Sequence, residues 1–147
     1  MQKNASTSTV QKNAVSQKSH AVTIAKFMTP SPHSIGVEQS LSVAHAMMRE
    51  HAIRHLPVLH GGKLVGLVTE RDARLVESLK DVDARQVTVE DAMSQAVYVV
   101  APDAPLADVA HEMAAHKYGS AVIMDKGKVV GIFTTVDACR ALSALLH

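Results

Sequence analysis

The stretch Gly62-Lys63-Leu64-Val65-Gly66-Leu67-Val68-Thr69-Glu70-Arg71-Asp72 returns 65 residues later as Gly127-Lys128-Val129-Val130-Gly131-Ile132-Phe133-Thr134-Thr135-Val136-Asp137. Most replacements between the two runs are conservative: Leu for Val, Leu for Ile, Val for Phe. At the same offset, residues 22–76 fall on 87–141 without a gap, and thirteen of those 55 pairs are identical. Val22/Val87, Thr23/Thr88, Met28/Met93, Leu41/Leu106, Met48/Met113 and His51/His116 are among them. A gapless duplication predicts two copies of one supersecondary unit, packed about a pseudo-twofold axis and sharing a cleft.

Each copy reads as β-α-β-β-α. Thr23–Met28 is a helix-like turn stopped by Pro30 and Pro32. His33–Val37 is a short extended piece. Ser40 is placed to cap a helix whose apolar stripe is Leu41, Ala44, Met48 and His51. Leu56–Leu59 and Leu64–Val68 read as buried strands joined by a Gly61-Gly62-Lys63 hairpin, and a helix follows Thr69. The second copy matches: an opening turn at Val89–Met93, an extended Val97–Val100, and a helix striped by Leu106, Val109, Ala110 and Met113. Strands at Ala121–Met124 and Val129–Phe133 follow, and a helix starts from Thr135. The fold class is α+β, with two small three-stranded sheets flanked by helices. The expected organisation is a flexible polar tail over 1–21, one repeat over 22–78, a linker over 79–86 and a second repeat over 87–147.

Composition narrows the function classes. The chain of 147 residues is 47% apolar and 20% charged with a formal net charge of +1, so neither a nucleic-acid nor a membrane partner is expected. Two Phe, two Tyr and no Trp leave little for base stacking. The lone Cys139 rules out an intrachain disulfide, and its helical setting predicts a buried, inert thiol. Met1–His20 lacks the apolar core of a signal peptide, so the expected location is cytoplasmic. Nine histidines invite a metal, but the helix holding His51 should end before His55, and His111 and His116 diverge by about 140° around a helix. No metal is expected. Nor is catalysis, since no nucleophile elbow, phosphate-binding loop or paired carboxylates with a matching base are present.

The element with chemistry is Gly-h-h-Thr-x-x-Asp, with h apolar, and two explanations of it stand together. Thr69/Asp72 and Thr134/Asp137 form the capping-box pattern of a strand-to-helix junction. A hydroxyl and a carboxylate one helical turn apart also suit the two hydroxyls of a ribose, and Gly66 and Gly131 leave room for another group to approach the backbone. Arg54, His55 and Arg71 are the cations available for phosphate, His55 once protonated. In the second copy Gly119, Ser120 and Val136 stand in their places, and Val122 replaces Pro57. One tight site and one weak or vacant one are expected.

Phe27-Met28-Thr29-Pro30, Ile53-Arg54-His55-Leu56-Pro57-Val58-Leu59 and Gly66–Asp72, with Ala92-Met93-Ser94, Gly119-Ser120-Ala121-Val122-Ile123 and Gly131–Asp137, resemble paired CBS domains, a Bateman module, over roughly residues 22–145. The resemblance implies ribose binding by Thr69, Asp72, Thr134 and Asp137, with Arg54 as a phosphate ligand. It implies adenine walls from Ile35, Leu56 and Pro57 and from Val100, Ala121 and Val122. Plain core packing is the competing explanation of those six, and Pro57 alternatively marks an edge strand. The implied function is a regulatory sensor of AMP, ADP or ATP that acts in trans on a protein target and forms a homodimer. The nucleotide is a regulatory ligand, not a cofactor. S-adenosylmethionine or a dinucleotide is the alternative ligand. A structural or dimerisation module with vestigial pockets is the alternative function, with Leu142, Leu145 and Leu146 as an apolar helix face.

Overall fold

A computed structural model describes residues 22–147; the expected polar tail, 1–21, lies outside the described residues. The chain runs α1 (Ile24–Phe27), β1 (Thr29–Pro30), β2 (Ile35–Gly36), α2 (Leu41–His51), β3 (His55–His60), β4 (Lys63–Thr69), α3 (Glu70–Glu77), α4 (Val89–Ala92), β5 (Val99–Val100), α5 (Leu106–His116), β6 (Ser120–Asp125), β7 (Lys128–Thr134) and α6 (Thr135–Leu145). The duplicated sequence therefore becomes duplicated structure.

The local signals act as their chemistry dictates. The Ser40 side chain accepts the Val43 N–H and starts α2. α2 and α5 both end on a left-handed residue, Ala52 and Lys117, whose N–H turns back to the last-turn carbonyls. Gly61 and Gly62, and likewise Lys126 and Gly127, take successive positive φ angles, which a two-residue hairpin requires. Both β3 and β6 carry a bulge at the same step, Val58/Leu59 and Ile123/Met124.

One sheet has the order β2-β3-β4, and the other β1-β7-β6-β5. Two three-stranded sheets were expected. The fourth strand is a loan: Thr29–Pro30 of the first repeat pairs antiparallel with Ile132 and Gly131 of the second. The loan has a counterpart, because Leu67 and Ser94 exchange two 2.9 Å backbone hydrogen bonds across the repeats. The two opening turns have thus changed places. Ile24, wholly buried, joins Leu106, Val109, Ile123 and Phe133 in the second core. Val89, also wholly buried, joins Leu41, Leu56, Val58 and Val68 in the first. Equivalent backbone bonds pin both turns: Ile24 N–H to Ala104 O and Leu106 N–H to Val22 O, against Val89 N–H to Gln39 O and Leu41 N–H to Val87 O, all 2.8–2.9 Å.

The exchange explains two glycines differently from the expectation. A Cβ at Gly66 would collide with the Met93 sulfur, and one at Gly131 with the Met28 sulfur. The group that comes close to each backbone is thus a methionine of the other repeat. Pro57 sits in β3, the central strand of its sheet, so it marks no edge. Its cross-strand partner Leu67 turns its N–H and C=O away to Ser94, so a missing donor at Pro57 costs that pair nothing. Cys139 is exposed, contrary to the buried thiol expected. The buried stripe of α6 passes through Asp137 and Ala141, which leaves position 139 outside.

Candidate functional site

The site grows from the two strand-to-helix junctions. Thr69 ends β4 and caps α3: its hydroxyl oxygen accepts the Asp72 N–H at 3.2 Å. Asp72 Oδ2 accepts the Thr69 N–H and hydroxyl in return, each at 2.9 Å. Thr134 and Asp137 repeat this at the start of α6, with the N–H of Thr134 2.8 Å from Asp137 Oδ2. Both capping boxes are complete, so capping accounts for the paired Thr and Asp in each repeat.

What differs is the second carboxylate oxygen. Asp137 is 4% exposed, and its Oδ1 accepts the Thr29 hydroxyl at 2.9 Å and faces the Arg140 guanidinium at 3.4 Å. Thr29 arrives on the exchanged strand β1. Asp72 is half-buried, and among the described residues its side-chain bonds run through Oδ2 alone. Ser94, the equivalent of Thr29, bonds instead to the Ala96 N–H. Leu75 stands where Arg140 does. The first repeat keeps an acceptor free, while the second has used its own.

At the β4–α3 junction opens a cleft of about 500 Å³ lined by Arg54, His55, Thr69, Glu70, Arg71 and Arg74, with Asp72 outside the lining. It brings the three expected phosphate residues together with Thr69 and adds two not foreseen, Glu70 and Arg74. Their signal was present as the i,i+4 spacing of Glu70 and Arg74, but it reads equally as a solvated helix face. Arg74 Nε lies 3.3 Å from Glu70 Oε1. In the second repeat these positions hold Gly119, Ser120, Thr134, Thr135, Val136 and Cys139, and none bears a cation.

His55 reaches toward the other repeat; a Cβ on Gly119 would lie 3.3 Å from its Nε2. Burial holds its pKa below the usual 6.5 and Arg54 adds to the depression, while Asp137 and Asp72 oppose it. The imidazole is therefore mostly neutral at pH 7 and offers a hydrogen bond to an anion, not the charge expected of it. His55 thus stands where the first repeat meets Gly119 of the second.

The six adenine-wall residues do not line this cleft. Leu56, Ala121 and Val122 have no accessible surface, Pro57 is fully buried and Ile35 is 5% exposed. Ile35 and Leu56 serve the first core and Ala121 the second, and Val100 alone is half-buried. The tempting histidines have ordinary partners. His51 stacks on His33 at 3.7 Å. His116 pairs with Glu112 at 3.1 Å and stacks on Tyr118. Among the described residues no group of three or more His, Cys, Asp or Glu side chains is arranged to hold a metal, and no helix is long and apolar enough to cross a membrane.

The sequence matches the CBS domain over residues 24–77 and again over 89–144, and the chain belongs to that family. It is 29% identical over 110 residues to the CBS domain-containing protein YhcV of Bacillus subtilis, covering 75% of this chain and 78% of that one. It is 32% identical over 105 residues to an inosine-5'-monophosphate dehydrogenase of Korarchaeum cryptofilum, covering 71% of this chain; the match spans only 21% of that longer protein. Among solved structures, the CBS domain pair of protein MJ0100 in complex with 5'-methylthioadenosine and S-adenosyl-L-methionine superposes with a TM-score of 0.76 at 25% identity, over 84% of this chain and 98% of that one. CBSX2 in complex with AMP gives 0.71 at 26% identity, over 85% and 98%.

Proposed function

We propose that the chain is a regulatory sensor module that binds an adenosine nucleotide in the first-repeat cleft and acts in trans on a partner, as a homodimer. The observation that carries this is the asymmetry of the two aspartates. Among the described residues Asp72 keeps a carboxylate oxygen unbonded, and its capping partner Thr69 lines the cleft that holds three arginines, whereas Asp137 is closed by Thr29 and Arg140. In this reading Thr69 and Asp72 hold the ribose, Arg54 and Arg71 hold phosphate, and neutral His55 donates to it. Thr134 and Asp137 hold the second repeat together and take no ligand. The adenosine compounds bound in MJ0100 and CBSX2 are consistent with this ligand class.

A second reading, an interaction module with vestigial pockets, is favoured by the completeness of both capping boxes and by the exposed Leu142, Leu145 and Leu146 on and just beyond α6. Calorimetric titration with AMP, ADP and ATP separates the two. Saturable binding of one ligand per chain, lost in Asp72→Asn, supports the sensor; asparagine can still accept the Thr69 N–H, so the cap survives the substitution. A ligand at 100 times its dissociation constant should also stabilise the fold by about 2.7 kcal/mol. No binding at millimolar concentration leaves the interaction module.

A further inference from the structure

The first-repeat cleft holds more cationic charge than one phosphate needs. Arg54, Arg71 and Arg74 line it, with Glu70 the lone carboxylate among its lining residues. The Arg54 carbonyl accepts the Glu70 N–H at 2.9 Å, which fixes its stem at the first turn of α3. Arg71 and Arg74 follow three residues apart, about 4.5 Å along the helix axis and on neighbouring rows of one face. The stems are therefore strung out along the helix and not gathered round one point. Arg74 is held meanwhile by Glu70, with its own side chain 71% exposed and that of Glu70 26% exposed.

We infer that this cleft selects a nucleoside di- or triphosphate over a monophosphate, with Arg74 as the residue that makes the distinction. The inference rests on the nucleotide reading above. A single phosphate satisfies Arg54 and Arg71 and leaves Arg74 on Glu70. A second phosphate offers Arg74 a more highly charged, bidentate partner, and the guanidinium exchanges Glu70 for it. A sulfonium nucleoside such as S-adenosylmethionine puts a cation among three guanidiniums and is repelled. Glu70 is thus a built-in competitor that sets a threshold for the longer phosphate chain.

The test is calorimetry on the whole chain with AMP, ADP, ATP, S-adenosylmethionine and inorganic tripolyphosphate, using the native protein, Arg74→Gln and Glu70→Gln. Glutamine keeps helix propensity at both surface positions, so α3 persists. ADP and ATP should bind roughly fivefold or more tightly than AMP, the scale of one exposed ion pair. Arg74→Gln should bring them to the AMP level, and Glu70→Gln should widen the gap. Equal affinities for AMP and ATP, tightest binding of S-adenosylmethionine, a uniform loss for all nucleotides in Arg74→Gln, or no change in Glu70→Gln would each overturn the inference. Tripolyphosphate keeps the two claims apart. Its binding, weakened in Arg74→Gln, with no adenine nucleotide preferred over it, sustains the phosphate row and sinks the adenosine reading; binding of neither sinks both.

Discussion

Asp72 and Asp137 hold equivalent positions and make equivalent caps, yet among the described residues Asp72 alone of the two keeps a carboxylate oxygen unbonded. The reason is a single hydroxyl: Thr29 donates to Asp137 Oδ1 at 2.9 Å, and among the described residues no side chain donates to Oδ1 of Asp72. Thr29→Val should therefore cost about 1–2 kcal/mol, since in a carboxylate only 4% exposed Oδ1 loses its hydroxyl donor and keeps the exposed Arg140, while Oδ2 stays on Thr134. Ser94→Ala, at the matching exposed position, should cost under about 0.5 kcal/mol. Urea unfolding of the two variants checks this; equal losses would remove the asymmetry. His55 supplies a second residue-scale expectation. Its folded pKa lies below the unfolded 6.5 because of burial first and Arg54 second. The unfolded chain thus binds the proton more readily, so His55 favours the fold above about pH 6.5 and that contribution fades as pH falls toward the folded pKa. His55→Gln should flatten the stability profile between pH 7 and 5. An anion bound beside His55 raises its pKa, so nucleotide affinity should increase as pH falls through the same window, and affinity independent of pH would remove His55 from the phosphate site.

Between elements, the glycines of β4 and β7 are where the two repeats meet. A Cβ at Gly66 would strike the Met93 sulfur and lie 2.9 Å from the Ser94 carbonyl oxygen, a backbone atom held by the Leu67–Ser94 bridge. At Gly131 the nearest atoms all belong to the flexible Met28 side chain. Gly66→Ala should thus destabilise by about 1–3 kcal/mol, and Gly131→Ala by less. Met28→Ala should partly rescue Gly131→Ala in a double-mutant cycle of thermal melts, because it clears the space. The same junctions show what a sequence can and cannot reveal. Hairpins, caps and strands follow from Gly61-Gly62, Ser40 and Thr69-x-x-Asp72 because each is decided by residues within a few positions. The exchange of opening turns is not local. The offset of 65 says that Val22 resembles Val87, but a segment and its duplicate fit either core equally well by pattern, so Ile24 and Val89 could not be assigned to one. Thr29 and the methionine contacts were hidden for that reason. Arg74 was hidden for another: a charged residue on a helix face carries no mark of the cleft it borders. The adenine walls stand apart from the arginine cleft because apolar strand residues signal burial and say nothing of which buried surface a ligand can reach.

For the whole molecule, the exchange turns two repeats into one folding unit. Each core is completed by a turn from the other copy, so neither repeat contains its own interior. Ile24 is wholly buried among Leu106, Val109 and Phe133, and its burial alone contributes about 2 kcal/mol. To this are added the β1–β7 pairing and the bonds from Ile24 and Ala25 to the loop before α5. Set against a total stability of about 5–15 kcal/mol for a domain, the opening turn is a large share for a ten-residue segment. Deleting residues 1–31 should therefore damage the distant second repeat more than the first, from which the residues are removed. Hydrogen exchange should show it: amides of Val122, Ile123 and Phe133 should lose protection in the truncated chain, while those of Val58 and Val68, whose core keeps Val89, should retain more. Ile24→Ala is the milder form of the same test, with an expected cost of about 2–4 kcal/mol and one cooperative transition shifted as a whole. Loss of protection concentrated in β3 and β4 would mean that each opening turn serves its own repeat. Because the cleft at Arg54 and Arg71 faces His55, and His55 reaches Gly119 of the second repeat, a second repeat loosened by the truncation should also weaken nucleotide binding without any change in the residues of the first-repeat cleft.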